Sequence, residues 1–480
     1  MMPQPALKTL AIVGNGLEAW TTALFLKRKL GPVCPVISVV ETDPGEGAPA
    51  LSTLPWAVEW LADLGFDPIR LTVQTGGTMK LGDSFAGTGA GESAGFLPYG
   101  QVGAPIGPVQ FHQQLARLGL LTETRSFADY SLAALAARAG RFAPPASDPR
   151  SMLAGLEFGL HLDAHSVCDA MRTTASALGV RALTAAFVDF RRNTTGHVTA
   201  VMLGDGQTLD TQFVIDTRRP ADSGADWKSF DFGPFDRIAI SDAEHDPEQR
   251  PLTGNELASA SWSQYVPLQD RMAVQTVIAS AFAAGTPLAD RSRPLRCGRT
   301  QALWQHNQLH IGPAGWQLPP FATADLSILA KACDRLLATF PTTETCHVEN
   351  REYNRLIAQE IDTAADFAQL LMRIQSRPEP AWQAARDLAA SSNVDDAIAL
   401  FRSRGRLMLD EFCHHGEAHW IRAMLAMGVR PDRHDPQADA LDGQTLRERT
   451  TRIRGLVHQA LADMPAHARV LDRFRSQGAP

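Results

Sequence analysis

The fold is decided by residues 7–41, which read LKTLAIVGNGLEAWTTALFLKRKLGPVCPVISVVE. An apolar run ends at Gly14, a second glycine follows at Gly16, and helix-forming residues continue to about residue 30. A second apolar run then ends at Glu41. This order predicts a strand, a tight turn, a helix and a parallel strand, the β-α-β unit of a doubly wound sheet.

The turn has the composition of a dinucleotide-binding loop. Gly14 permits the tight turn, Gly16 lets the backbone approach a pyrophosphate, and Ala19 is the small residue where helix packs on strand. The helix start offers N–H groups and the positive end of a dipole to the phosphates. Glu41, at a strand end, is placed to bind ribose hydroxyls. The alternative is an α/β turn that binds nothing.

Composition limits the class of protein. The chain has 480 residues, is 44% hydrophobic, and carries a formal charge of −7 from interspersed acidic and basic residues. A large core is available, and a nucleic-acid surface or a polybasic membrane surface is not expected. Six cysteines without a C-x-x-C pair do not form a disulfide framework, and no apolar run is long enough to span a bilayer. We therefore expect a cytoplasmic protein without a membrane segment.

Two regions are predicted. Residues 1–345 read as a mixed α/β domain, with substrate-side segments inserted at about 44–150, and residues 346–480 read as a helical subdomain. Helices are expected at residues 56–64, 163–178 and 323–340, and continuously from residue 348. Strands are expected at residues 180–190, 197–203, 207–215, 258–266, 272–278 and 308–311.

Many short motifs, in the right order, resemble the flavin-dependent tryptophan halogenase family over nearly the whole chain. The G-N-G-L-E-A-W segment at residues 14–20 is similar to the family's G-G-G-T-A-G-W, and T-M-K-L-G at residues 78–82 is similar to the segment with the family's catalytic lysine. Further matches lie at residues 96–100, 111–112, 130–136, 140–142, 298–299, 401–406 and 464–467, and at Trp304, Asn307 and Trp420.

The resemblance implies an FAD-binding Rossmann-type fold, similar to flavoprotein monooxygenases, with mixed sheets and a helical C-terminal layer. It implies reduced FAD from a separate flavin reductase, O₂, and chloride or bromide. It further implies that hypohalous acid reaches a lysine beside an aromatic substrate, either a small molecule such as an indole or a peptide. Cofactor contacts would come from Gly14, Gly16, Ala19, Glu41, Gly312 and Ala314. A homodimer is expected by analogy alone.

Lys80 is the catalytic residue that the resemblance assigns, lying between Met79 and Leu81. A buried amine has a lowered pKa and serves as a nucleophile or polarised donor. The alternative is an ordinary surface lysine on a strand.

The sequence departs from the family at the flavin site. Residues 48–53 read A-P-A-L-S-T where the family has a G-V-G-E-A-T strap, so two glycines and a carboxylate are lost. Arg218 and Arg219 replace small residues beside the cofactor; in the alternative reading they point outward or bind another anion. Pro313 replaces an aspartate that holds the ribityl chain, and it removes an N–H donor.

Departures also reach the halide site and the reacting centre. Residues 320–325 read P-F-A-T-A-D in place of P-L-E-S-T-G, so Ala322 replaces the catalytic glutamate and Asp325 enters the halide site. A carboxylate pointing inward there would repel chloride. Gln264 replaces the second tryptophan of the W-x-W signature, which in the family is thought to block ordinary monooxygenation.

Two aromatic clusters have alternative readings. His415 and His419 are four residues apart, with Cys413 nearby; they read as metal ligands, as substrate contacts, or as a solvated helix start. Gly416 interrupts the helix and residues 413–415 cannot all converge on one ion, so no metal site is predicted. Trp56 and Trp60 would share a helix face, either clamping a flat substrate or packing in the core.

Three functions remain open at this stage. The leading hypothesis is a halogenase-like oxidoreductase that uses reduced FAD, O₂ and halide on an aromatic substrate. The first alternative is a non-catalytic family member that has lost flavin chemistry and acts as a binding or partner protein. The second is an enzyme that uses reduced FAD for monooxygenation without halogenation.

Overall fold

A computed structural model describes residues 7–42, 48–89, 94–123, 126–219, 226–283, 285, 291–322, 325–342, 347–389, 391–411 and 413–477. The helices are α1 (Leu17–Leu30), α2 (Trp56–Asp63), α3 (Pro68–Gln74), α4 (Phe111–Arg117), α5 (Leu132–Arg138), α6 (Ala164–Ala177), α7 (Asp325–Ala338), α8 (His347–Ile374), α9 (Pro380–Asp387), α10 (Ser392–Arg404), α11 (Glu417–Ala426), α12 (Gly443–Asp463) and α13 (His467–Gln477).

The strands are β1 (Thr9–Val13), β2 (Val36–Glu41), β3 (Ala50–Ser52), β4 (Thr78–Lys80), β5 (Gly82–Ala86), β6 (Gly95–Pro98), β7 (Gly159–Asp163), β8 (Arg181–Thr184), β9 (Phe187–Arg192), β10 (Val198–Leu203), β11 (Thr208–Asp210), β12 (Phe213–Asp216), β13 (Trp227–Ser229), β14 (Phe235–Ala243), β15 (Thr253–Leu257), β16 (Ser261–Pro267), β17 (Met272–Ala279), β18 (Arg293–Pro294), β19 (Gly298–Thr300), β20 (Trp304–Gln305), β21 (Gln308–His310) and β22 (Trp316–Gln317).

The predicted β-α-β unit is confirmed and lies at the centre of a six-stranded sheet in the order β20-β21-β12-β1-β2-β8. β1 pairs in parallel with β2 on one side and with β12 on the other, and only β20 runs antiparallel to its neighbour. The middle strands are buried on both faces, which explains their continuous apolar sequence. The carboxyl ends of β1 and β12 therefore meet at the same edge, where such sheets bind ligands.

A seven-stranded, mostly antiparallel sheet has the order β18-β14-β17-β16-β15-β5-β6. Its one parallel pair joins β15 to β5, with Thr253 opposite Asp83. A small antiparallel sheet, β3-β7-β4, carries the predicted strap at one edge and Lys80 at the other. The second and third sheets therefore converge on the stretch from Thr78 to Asp83.

Helices dominate beyond residue 347, as the periodicity predicts, but they are not continuous. Gly405 ends α10 in the left-handed region at φ +66°, and Gly416 is the N-cap of α11. Tyr353, Ile357 and Ile361 of α8 are fully buried, so this helix joins the main core.

Two long strand predictions are wrong in extent. Residues 180–190 divide into β8, in the six-stranded sheet, and β9, in a separate three-stranded sheet; residues 207–215 divide into β11 and β12 in the same way. Residues 185–186 and 211–212 lie outside strands, and the segments on either side of each break pair in different sheets. The predicted helix at 323–340 starts at Asp325, and Thr323 lies outside the described residues. In the described part of the chain, no helix is both long and apolar enough to cross a membrane.

Candidate functional site

The turn after β1 has the geometry that its two glycines predict. The amide of Gly14 donates to the carbonyl of Val40 at 3.0 Å, and a side chain on Gly14 would collide with Thr217, whose Oγ1 lies 2.0 Å from the Cβ position. Gly14 also has φ +146°, so the position requires glycine. Gly16 is the N-cap of α1 and offers no side-chain cap to the helix amides. These amides form a site for an anion.

The other predicted cofactor residues are placed unequally. Ala19 is fully buried, in keeping with the packing role assigned to it. Glu41 is also buried, and protein groups already hold its carboxylate: Arg172 Nη2 lies 2.9 Å from Oε1, and the Thr184 hydroxyl donates to Oε2 at 2.9 Å. A ribose would share this carboxylate with Arg172 and Thr184.

Gly312 and Ala314 form a turn of 3₁₀ helix after β21. Ile311 donates its amide to the carbonyl of Asp216 at 3.0 Å, which holds this turn at the ends of the central strands. Gly312 adopts φ +61°, and the side chain of Glu18 packs against it, with Cγ 2.6 Å from the place of a Cβ. The second glycine-bearing turn therefore lies beside the start of α1.

Glu18 is a site residue that the sequence interpretation missed. Its Oε2 lies 2.7 Å from the Cβ position of Gly16, so the carboxylate folds back over the start of the helix. Burial raises the pKa of this carboxyl, and its own backbone N–H and Arg219 oppose the rise. The available signal was the family segment itself, in which alanine stands where this chain has an acid.

Arg218 does not enter the cleft. Its Nε and Nη2 bind the two oxygens of Asp216 at 2.9 and 2.7 Å, and its guanidinium lies 3.6 Å from the centre of the Phe187 ring. Arg218 therefore fits the alternative in which the arginine binds another anion, here the carboxylate of Asp216. Arg219 is exposed, and its positive charge opposes the rise in the pKa of Glu18 and of Asp325.

Asp325 begins α7. The surrounding protein, and secondarily the charge of Glu18, raise the pKa of its carboxyl to about 7. The side chain nevertheless has exposed surface. Glu18 and Asp325 interact electrostatically with each other and with Arg219, so two acids share one compensating cation.

Lys80 is not a surface lysine. It ends β4 with no exposed surface, and its Nζ lies 2.9 Å from Oδ1 of Asp83 and 5.1 Å from the centre of the Tyr99 ring. Burial lowers the pKa of Lys80, and the charge of Asp83 opposes that shift. Tyr99 donates its hydroxyl hydrogen bond to Oδ2 of Asp83 at 3.2 Å. The sequence interpretation did not identify Asp83.

A polar chain links the strap to the lysine strand. Thr78 donates to the carbonyl of Pro267 and therefore accepts from Nδ1 of His161 at 2.8 Å. Nε2 of His161 then accepts from the Thr253 hydroxyl at 2.9 Å, and Thr253 lies 2.6 Å from the hydroxyl of Ser52. Ser52 belongs to the altered strap, and Thr78 lies two residues before Lys80. The two segments are thus held in a fixed relation.

The two signature positions, Trp262 and Gln264, contact the segment that contains Pro320 and Phe321. Trp262 stacks on Phe321 with ring centres 4.2 Å apart and donates to the side-chain oxygen of Asn255 at 3.1 Å. Gln264, the replacement for the second tryptophan, donates to the carbonyl of Pro320 at 3.2 Å. Gln264 therefore holds the backbone next to Ala322, whose side chain lies outside the described part.

His415 is buried and His419 is partly buried, so the solvated-helix interpretation does not fit His415. His415 precedes α11 and His419 lies within it; their rings stack at 4.7 Å and both contact Phe367. Burial and the charges of Arg422 and Lys80 lower the pKa of His419 to about 3. Among the described residues, no group of three or more His, Cys, Asp or Glu is arranged to hold a metal ion.

Trp56 and Trp60 pack edge to face at 6.0 Å; Trp60 belongs to the hydrophobic core, and Trp56 is partly buried against it. Of the two readings, the packed helix face fits this arrangement.

Comparison with known proteins gives a consistent result. The profile of the tryptophan halogenase family matches residues 9–443. The structure of BrvH, a flavin-dependent halogenase from Brevundimonas sp. BAL3, superposes with a TM-score of 0.91 at 25% identity, covering 98% of this chain and 99% of that one. A flavin-dependent halogenase from Xanthomonas campestris gives 0.89 at 24% identity, covering 98% of both chains.

A curated relative, a tryptophan 7-halogenase from Kutzneria sp. (strain 744), is 23% identical over 280 residues. The aligned region covers 51% of this chain and 51% of the relative, so the chain matches about half the length of that protein.

Proposed function

The chain belongs to the tryptophan halogenase family, and from this premise we propose that it is a flavin-dependent halogenase acting on an indole or another aromatic group, in a small molecule or a peptide. The observation that carries the proposal is the buried Lys80–Asp83 pair at the point where two sheets converge. A family lysine that had become an ordinary surface residue would have no need of a buried counter-ion.

The start of α1 fits the phosphates of FAD. The helix lacks a side-chain cap, and the Glu18 carboxylate lies over it as a stand-in anion, which indicates that the position attracts negative charge. Gly14, Gly16 and Gly312 would border the cofactor, and Glu41 would meet the ribose. When bound in the reduced form that a separate flavin reductase provides, FAD would supply the electrons that activate O₂, which would oxidise halide to hypohalous acid and leave water and oxidised FAD.

Lys80 would act on the halogen donor. In the overall step, an aromatic C–H and hypohalous acid give a C–halogen bond and water. Asp83 holds the proton on Nζ of Lys80, because its charge opposes the effect of burial. The ammonium then donates a hydrogen bond to the departing oxygen of hypohalous acid, and the halogen becomes more electrophilic. Asp83 is a positioning residue here, supplying near Lys80 a carboxylate that Ala322 no longer provides.

A second candidate function is a non-catalytic binding or partner protein. The observation that favours it is the pair of interacting acids, Glu18 and Asp325, whose negative charges oppose both phosphate and halide. A monooxygenase that needs no halide is the third candidate, favoured by Gln264 in the place of the second tryptophan.

The test is turnover of a panel of indoles and aromatic peptides by the purified protein with FAD, NADH, a flavin reductase and bromide. A brominated product that disappears in Lys80→Ala, and persists in the exposed Lys8→Ala, supports the halogenase. Hydroxylated product without bromide would indicate the monooxygenase. A folded protein that binds neither oxidised nor reduced FAD would indicate the binding protein.

A further inference from the structure

Glu18 occupies the part of the fold where an external anion is expected. It is the second residue of α1, the helix that follows the Gly14 and Gly16 turn. Its side chain passes between the two glycine-bearing turns: Oε2 lies 2.7 Å from the Cβ position of Gly16, and Cγ lies 2.6 Å from that of Gly312. A side chain on either glycine would displace Glu18.

The helix start favours this placement. The first amides of a helix lack intrahelical partners and carry the positive end of the dipole. Gly16 has no side chain to cap them, and the amide of Glu18 itself stabilises the charged form of the carboxyl. The protein therefore places its own anion on the phosphate-binding turn.

We propose that Glu18 is a specificity-determining residue of the cofactor site, an internal anion that the pyrophosphate of FAD must displace or meet in its protonated form. The proposal rests on the proposed function in taking FAD as the ligand. It predicts that ligands with phosphate compete with Glu18, whereas riboflavin, which has none, does not.

Proton uptake is the expected consequence. Three titratable or charged groups face Glu18: Arg219 in the loop after β12, Asp325 of α7 and Cys168 of α6. Arg172, also on α6, is paired with Glu41. Burial raises the pKa of the Cys168 thiol to about 12, so it is neutral. Arg219 favours the charged form of Glu18, while burial and the Asp325 charge oppose it. A phosphate brought beside Glu18 adds negative charge and raises the pKa of its carboxyl further, so FAD binds with uptake of a proton.

The experiment is titration of FAD, ADP and riboflavin into the full-length protein, followed by calorimetry, between about pH 6 and about pH 8.5. Glu18→Gln keeps the size of the side chain and removes its charge. Glu417→Gln is the matched control, because Glu417 is an exposed acid in the first turn of another helix. Asp325→Asn separates the contribution of the second acid. Circular dichroism confirms that each variant is folded.

Glu18→Gln is expected to bind FAD and ADP about tenfold more tightly near pH 8, equivalent to about 1.4 kcal/mol. The affinity of the wild-type protein for FAD and ADP should fall as the pH rises, and it should fall less in Glu18→Gln. The affinity for riboflavin should be the same in the wild type and in every variant.

Equal affinities of wild type and Glu18→Gln for FAD across the pH range would overturn the proposal, even if both bind FAD and the halogenase assignment stands. Binding by Glu18→Gln alone would uphold the proposal and count against halogenase activity of the wild-type protein. If neither binds FAD, both proposals fail.

Discussion

The Nζ of Lys80 lies 2.9 Å from Oδ1 of Asp83, and the two side chains are 0% and 9% exposed. Removing one partner of such a pair leaves the other charge buried without compensation, whereas replacing both by apolar groups is often neutral. The pair is therefore more sensitive to a single substitution than to a double one.

Asp83→Asn should lower the free energy of unfolding by about 3–5 kcal/mol. The double variant Lys80→Met, Asp83→Leu should recover at least half of that loss, because Tyr99 can still donate to the carbonyl of Thr53. Urea unfolding of the two variants and wild type measures both effects. A loss below about 1 kcal/mol for Asp83→Asn would contradict a buried ion pair of this geometry.

The same substitution tests positioning. Without the carboxylate, the pKa of Lys80 falls further, because Asp83 is the group that opposes the effect of burial. The halogenation rate should therefore begin to fall at a lower pH in Asp83→Asn than in the wild type. The substitution should change KM less than kcat. The expected shift is absent if Asp83 serves only the fold, and Asp83→Glu should restore the wild-type profile in part.

Histidines whose pKa values are lowered by burial, among them His112, His419 and His467, should make the fold sensitive to acid. Burial lowers the pKa of His112 and His467 to about 4 and that of His419 to about 3. The unfolded chain binds protons more readily than the native state between these values and about 6.5. Stability is therefore full above about pH 6.5 and declines as the pH falls, by up to about 1.4 kcal/mol per pH unit for each histidine.

Urea unfolding at several pH values between about 7.5 and 5 measures this slope. His112→Gln keeps a donor for the carbonyl of Gly405, which His112 contacts at 2.7 Å, and should reduce the slope by at most about 1.4 kcal/mol per pH unit. His165→Gln, at a highly exposed position, should leave it unchanged. Identical slopes in His112→Gln and wild type would show that His112 is not held neutral.

Asp325 should control the affinity for halide. Its carboxyl has a pKa of about 7, so it repels chloride above that pH and is neutral below it. Asp325→Asn should therefore bind chloride more tightly at about pH 8 and lose the pH dependence, as measured by chloride NMR line broadening. Equal line widths for wild type and variant would place the halide away from Asp325.

The parts of the fold that depend on local sequence are the parts that were predictable. The β-α-β unit follows from the glycines and apolar runs of residues 7–41, and these interactions lie close together in sequence. The division of residues 180–190 between two sheets was not predictable, because it depends on strand partners elsewhere in the chain.

The site divides in the same way. Lys80 was identified through its family motif, but its pairing with Asp83 depends on the turn from β4 to β5. Glu18 stands within the quoted motif, yet its role becomes clear only when Gly312 is brought beside it by the central sheet. The burial of His415 depends likewise on Phe367 of α8, a contact that no local pattern contains.

Arg218 supports the fold and does not bind the cofactor. Its guanidinium makes a bidentate pair with Asp216, which is buried at the carboxyl end of β12, and stacks on Phe187. Arg218→Ala leaves Asp216 without its partner, so it should cost about 2–3 kcal/mol of stability while FAD affinity of the folded protein changes less than about twofold. Arg218→Lys should recover only part of the stability, because an ammonium cannot make the bidentate contact.

The neighbouring Arg219 is the matched control, because it is exposed and opposes the charges of Glu18 and Asp325. Arg219→Ala should leave stability nearly unchanged and weaken FAD binding, since the two carboxylates then face the phosphates without compensation. Thermal unfolding and FAD titration of both variants measure the contrast. Loss of FAD binding in Arg218→Ala with unchanged stability would mean that Arg218, and not Arg219, faces the cofactor.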